Sequence, residues 1–96
     1  MAVMATQTDA VFRALADETR RDLFVALVQS PGLSTAQLVA RTPGMTRWGV
    51  MKHIGSLREA GLIQTMSEGR QRRHYPEKAA LAPLRQWLVE AGSATD

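Results

Sequence analysis

Apolar positions recur at helical spacing in five stretches of the chain, and partial alternation appears in one. From Met45 to Ala60, Val50, Ile54 and Leu57 fall at i, i+4 and i+7 and form a single apolar stripe. The opposite face carries Arg47, Trp48, Met51, Lys52 and Arg58, with His53 at its border. Thr46 is placed to cap the start of this helix, because its hydroxyl can accept a free backbone N–H of the first turn. Gly61 is placed to end it, since glycine takes the left-handed conformation at no steric cost. The pattern predicts a short helix with an apolar back and a cationic front, a shape that suits a DNA major groove.

The other elements are arranged around this stretch. Residues 1–8 read as a frayed start, and Asp9 to Ala14 as a short helix with Val11, Phe12 and Leu15 as its apolar positions. After a break at Leu15-Ala16-Asp17, Asp17 caps a second helix, Glu18 to Gln29, with Leu23, Phe24, Leu27 and Val28 on one side. Ser30-Pro31-Gly32 ends it, because proline cannot extend a helix. Ser34-Thr35-Ala36-Gln37 fits a capping box and opens a short helix to Arg41, with Leu38 and Val39 available for the core. Thr42-Pro43-Gly44 is a turn by composition. Two short helices joined by a tight glycine-containing turn make a helix-turn-helix candidate.

Beyond Gly61 the period changes. Leu62 to Ser67 reads as a strand, Glu68-Gly69 as a two-residue turn and Arg70 to Tyr75 as the return strand, closed by Pro76. A last helix is predicted from Leu81 to Ala91, with Leu81, Leu84, Trp87 and Leu88 in one stripe, Pro83 in its first turn and 91–96 as a frayed end. The expected fold is mainly α with a small β-hairpin, in the order α-α-α-α-β-β-α, and a single domain spans 1–96.

Charge sharpens this picture. The formal net charge is +3, yet residues 41–75 hold seven Lys or Arg against Glu59 and Glu68, a net +5, while the flanking segments are each −1. Concentrated positive charge on the helix and hairpin is the footprint of a polyanion-binding surface, although a solvated basic face would look the same. The absence of cysteine removes disulfides, thiolate metal sites and thiol nucleophiles together. No cofactor is expected. There is no glycine-rich phosphate loop and no paired-carboxylate motif, and Ser56 with His53 lacks a third group, so an enzyme is not expected. Met1 to Thr8 lacks the basic start and apolar run of a signal peptide, and no segment approaches the ~20 apolar residues of a membrane span. A cytoplasmic location is expected.

Three groups of residues carry a resemblance: Val11-Phe12-Arg13-Ala14-Leu15-Ala16-Asp17-Glu18-Thr19-Arg20-Arg21; Lys52-His53-Ile54 with Leu57-Arg58-Glu59-Ala60-Gly61-Leu62-Ile63; and Glu68-Gly69-Arg70 with Arg73-His74-Tyr75. Together they resemble the ArsR/SmtB family of winged helix-turn-helix repressors over about residues 9–90. The resemblance implies a homodimer joined through the first and last helices, which here brings forward Val11, Phe12, Leu81, Leu84, Trp87 and Leu88. It also implies two helices reading a palindromic operator with half-sites about one helical turn, ~10 bp, or a multiple of it apart. Metal-sensing members carry thiols on the short third helix, where this chain has Leu33-Ser34-Thr35-Ala36-Gln37-Leu38, or His with Asp or Glu on the last helix, which here has no histidine. The chain therefore resembles the metal-independent branch, whose effectors are often undefined. Its turn at 41–45 is one residue longer than the common family form, and Trp48 and Met51 stand where a small residue and a serine are frequent.

The expected DNA contacts are Thr46, Arg47, Trp48, Met51, Lys52, Arg70, Arg72 and Arg73. Arg47 has a base-reading role (arginine pairs bidentately with guanine) or a phosphate role. Lys52 is expected to anchor a phosphate, and Thr46 to cap the helix while donating to one. Trp48 either packs on a thymine methyl or sugar, or packs against its own domain. Arg72 and Arg73 are adjacent, so one should point away if the strand is regular. His53, His74 and Tyr75 are expected to be structural, and Arg20 and Arg21 to pair with Asp17 or Glu18. The leading function is a sequence-specific dimeric DNA-binding repressor. The alternative is a winged-helix module whose basic face binds an acidic protein partner.

Overall fold

A computed structural model describes residues 2–94, with the side chains of 7–92. Five helices and three short strands follow in the order α1 (Ala2–Ala14), α2 (Glu18–Gln29), β1 (Leu33–Ser34), α3 (Thr35–Ala40), α4 (Arg47–Glu59), β2 (Ile63–Glu68), β3 (Gln71–Pro76) and α5 (Ala82–Ala94). A short 3-10 helix, Lys78–Leu81, leads into α5. The first helix begins at Ala2, well before the expected Asp9, and the last continues past Ala91 to Ala94.

The predicted caps are in place. The Asp17 carboxylate accepts the backbone N–H of Arg20 at the head of α2, 3.1 Å. Ser34 and Gln37 close a reciprocal capping box on α3, at 3.1 and 2.8 Å. Thr46 Oγ1 accepts the Gly49 N–H, 3.0 Å, and so fixes where α4 starts. The helix ends with Ala60 as its cap and Gly61 just beyond at φ 76°, the left-handed geometry that glycine supplies freely.

The sheet differs from the expected hairpin in two respects. Strand β1 joins it, giving an antiparallel order β1-β3-β2 with Leu33 opposite His74 and Ser34 opposite Arg73. Two residues are too short a run to show alternation, so no periodic signal marked β1. The hairpin turn is Gly69-Arg70, one residue later than predicted, because Glu68 pairs with Gln71 across it. Positive φ confined to Gly69, the first central residue, is the pattern of a II′ turn.

The core is assembled from one face of each element. Leu23, Phe24 and Leu27 of α2, Leu38 of α3, and Val50, Ile54 and Leu57 of α4 are buried together with Leu33, Leu62 and Ile63. Val28 faces solvent instead. Val11 and Ala14 extend the core along α1, and Leu81 and Leu84 pack against it from the far end. The radius of gyration is 14.6 Å and the extents are 48 × 26 × 21 Å. A spherical domain of this length would have about 12.5 Å. The extra length fits a chain whose α1 and α5 pack against each other, with Phe12 and Trp87 in an edge-to-face contact at 5.5 Å and 84°.

Candidate nucleic-acid interface

The apolar stripe of α4 decides which face it shows to solvent. With Val50 and Leu57 fully buried and Ile54 nearly so, Arg47, Trp48, Met51, Lys52 and Arg58 are all turned outwards. The side chain of Thr46, at the same end, is exposed beyond its cap. The hairpin then comes alongside. Arg47 and Met51 of α4, Arg70 and Arg72 of the wing, and Ser34 and Thr35 at the head of α3 line one open cleft of about 310 Å³. Three arginines line it, two of them separated from the first by more than twenty residues of sequence.

Arg73 takes no part in this convergence. Its guanidinium donates to the Gly32 carbonyl at 3.0 Å and to Gln71 Oε1 at 3.0 Å, and pairs with Glu68 at 3.3 Å. Strand alternation is the cause: Arg72 faces the cleft, so its neighbour faces the other side of the sheet. Arg73 thus ties the wing to the loop before β1.

His74 sits at 2% exposure beneath the cleft. Its Nε2 lies 2.8 Å from Thr35 Oγ1 and its Nδ1 2.9 Å from Thr65 Oγ1. One imidazole therefore links the head of α3 to both strands of the wing. Burial, followed by the charges of Arg58 and Arg72, holds its pKa below the ordinary 6.5. Sequence reasoning expected a packing role for His74 but missed the two threonines, which are distant along the chain and carry no shared motif. Tyr75 packs where a Cβ on Gly32 would come within 3.3 Å of its ring, and Gly32 has φ 91°, so glycine is required there on both counts.

Two further expectations are revised. Arg20 and Arg21 do not pair with acids: Arg20 donates to the carbonyls of Ala14, 2.7 Å, and Arg13, 3.2 Å, and Arg21 to that of Leu15, 2.7 Å. They donate to carbonyls at and just beyond the end of α1, where the helical ladder runs out. Trp48 does not pack into its own domain: it is 69% exposed, with Lys52 Nζ 4.8 Å above its ring. The Arg20 N–H at the head of α2 holds the Asp17 carboxyl below its ordinary range, and His53 lies half-buried nearby.

The comparisons with known proteins agree with this geometry. Residues 15–65 match the model of a helix-turn-helix domain family. Over 87 residues the chain is 39% identical to the HTH-type transcriptional regulator CmtR of Mycobacterium tuberculosis, a match covering 88% of this chain and 70% of that protein. A crystal structure of an ArsR family transcriptional regulator superposes with a TM-score of 0.84 at 31% identity, covering 94% of this chain and 91% of that one. This chain is an ArsR/SmtB-family winged-helix transcriptional regulator. The NMR structure of CmtR, described as a cadmium metal-sensor, superposes with a TM-score of 0.61 at 37% identity, covering 75% of this chain and 73% of that one.

The residues brought forward for dimerisation fall into two sets. Val11, at 3% exposure, belongs to the monomer core and has no surface to offer a partner. Leu81 and Leu84 are partly buried against that core, and Phe12 is partly covered. Trp87 and Leu88 are exposed at 49% and 55%, and Val89 beside them at 63%. Val89 escaped the sequence reading because it lies off the predicted stripe.

Proposed function

We propose that this regulator is a homodimeric repressor that reads a palindromic operator with the outward face of α4, while the wing at 63–76 holds the flanking backbone. The observation that carries the proposal is the convergence of Arg47, Arg70 and Arg72 on one cleft, with Lys52 on the same helix face. Cations clustered on a groove-sized helix and an adjoining hairpin supply affinity through counterion release, and the few that reach base edges supply specificity. Arg47, at the first position of α4, is the proposed base reader, because the N-terminal residues of such a helix contact base edges. Arg70, Arg72 and Lys52 are the proposed phosphate contacts, and Thr46 adds one through its hydroxyl.

The exposed apolar strip of Trp87, Leu88 and Val89 supports self-association through α1 and α5. The elongated shape supports it too, since a partner would cover the end that the monomer leaves open. No helix among the described residues is long and apolar enough to cross a membrane. A DNA-bound role fits a cytoplasmic location. The cadmium in the description of CmtR is not carried over, because soft metal ions select thiolate ligands and this chain has no cysteine.

The test is fluorescence anisotropy with the duplex upstream of the protein's own gene beside a scrambled duplex, at low and physiological salt. The expected result is salt-sensitive binding that prefers the native duplex, with Arg47→Ala weakening it by roughly tenfold and reducing the preference. Absence of binding to either duplex, even at low salt, would favour the basic face as a docking surface for an acidic protein.

A further inference from the structure

The groove-facing side of α4 is not uniformly cationic. Trp48 and Met51 are three residues apart, neighbours on one helix face, and are 69% and 46% exposed. Arg47 and Lys52 flank them in sequence, and the Lys52 ammonium stands 4.8 Å over the indole. Neither residue belongs to the buried core. The fold therefore leaves an apolar island inside a cationic surface, at the end of the helix that enters a groove first.

Major-groove base edges are nearly all donors and acceptors, and the 5-methyl group of thymine is the apolar exception. Phosphates, at the groove walls, match Lys52 but offer nothing to an indole or a thioether. We propose that Trp48, supported by Met51, reads thymine in the operator through its methyl group. The inference rests on the DNA-binding reading above and adds to it the base and the atom recognised. Lys52 lies over one face of the ring in a cation–π contact, and at 69% exposure much of the indole stays open to a groove. The start of the helix is equally well defined. A Cβ on Gly49 would lie 3.1 Å from Met45 Cγ and 3.3 Å from Thr46 Oγ1, so the turn that carries Trp48 is closely packed from behind.

The experiment separates methyl recognition from binding in general. The tightest duplex selected from a randomised pool is made in two forms, with thymine or with deoxyuridine throughout, which differ only in the methyl groups. Anisotropy titrations of both are run over a range of salt, with wild type, Trp48→Ala and Met51→Ala. Wild type is expected to bind the deoxyuridine duplex about fourfold more weakly for each contacted methyl. The salt slope should be the same for both forms, because no phosphate contact is lost. Trp48→Ala should bind the two forms equally, and Met51→Ala should keep part of the difference. Equal binding of both forms by wild type, with the preference over scrambled DNA intact, would overturn thymine reading and leave the groove contact standing. Full discrimination retained by Trp48→Ala would overturn the assignment to Trp48. No binding to any duplex would overturn the DNA reading and this inference with it.

Discussion

The two tryptophans make a useful contrast. Trp48 on α4 and Trp87 on α5 are both exposed, at 69% and 49%, and each sits on the outward face of an amphipathic helix. Their neighbours differ. Around Trp48 stand Lys52, Arg20 and His53; around Trp87 stand Phe12, Leu88 and Val89. An indole among cations fits a polyanion that also carries a little apolar surface. An indole among aliphatic side chains fits a second apolar surface, such as another copy of the same helix. Exposure alone says that a residue has an unfilled role; the chemistry of its surroundings says which one.

Both faces depend on the same core, so the largest effect should come from breaking what they share. Leu57 is fully buried on the back of α4. Leu57→Ala should cost about 2–5 kcal/mol, a large part of the ~5–15 kcal/mol that holds such a domain together. Urea denaturation would measure the loss, and DNA binding and self-association should fail together. Loss of one without the other would mean that the two faces are not carried by one cooperative unit.

The next effect separates them. Trp87→Ala should weaken self-association by about 2 kcal/mol, ~30-fold, because a large aromatic near the centre of an interface commonly dominates it. Trp48→Ala should leave self-association unchanged. Sedimentation velocity on the two variants reads both outcomes. An unchanged assembly in Trp87→Ala would remove the α5 face as the contact between copies.

The same contrast shows what was legible in the sequence. Elements governed by local chemistry were readable: the caps Asp17, Ser34 and Thr46, and the stripe of Val50, Ile54 and Leu57 that turns Arg47 and Lys52 outwards. What depended on residues far apart was not. Strand β1 exists because Leu33 finds His74, and the Thr35–His74–Thr65 linkage joins three segments that share no periodicity. Trp48 shows the limit from the other side, since its place on the polar face was evident but its freedom from its own domain was not. Val11 shows it too. The family resemblance brought it forward for an interface, and the packing of α1 on the body places it inside.

The smallest effect is a pH dependence confined to one of the two faces. His74 is held neutral by burial and by the nearby charges of Arg58 and Arg72. In the unfolded chain the imidazole takes up a proton near the ordinary 6.5, whereas in the folded protein it does so only at lower pH. The unfolded state therefore binds more protons below that value. The contribution to stability is complete above it and is lost as the pH falls towards the folded pKa. Protonation need not break the two threonine contacts, because each hydroxyl can accept as well as donate. The destabilisation is electrostatic. Melting temperature should fall between about pH 7.5 and about pH 5.5, and less so in His74→Gln. Because His74 joins α3 to the wing, amide exchange should accelerate first in β1, β2 and β3 and last in α1 and α5. Uniform acceleration across both faces would show that this imidazole stabilises the whole domain rather than the DNA-facing half alone.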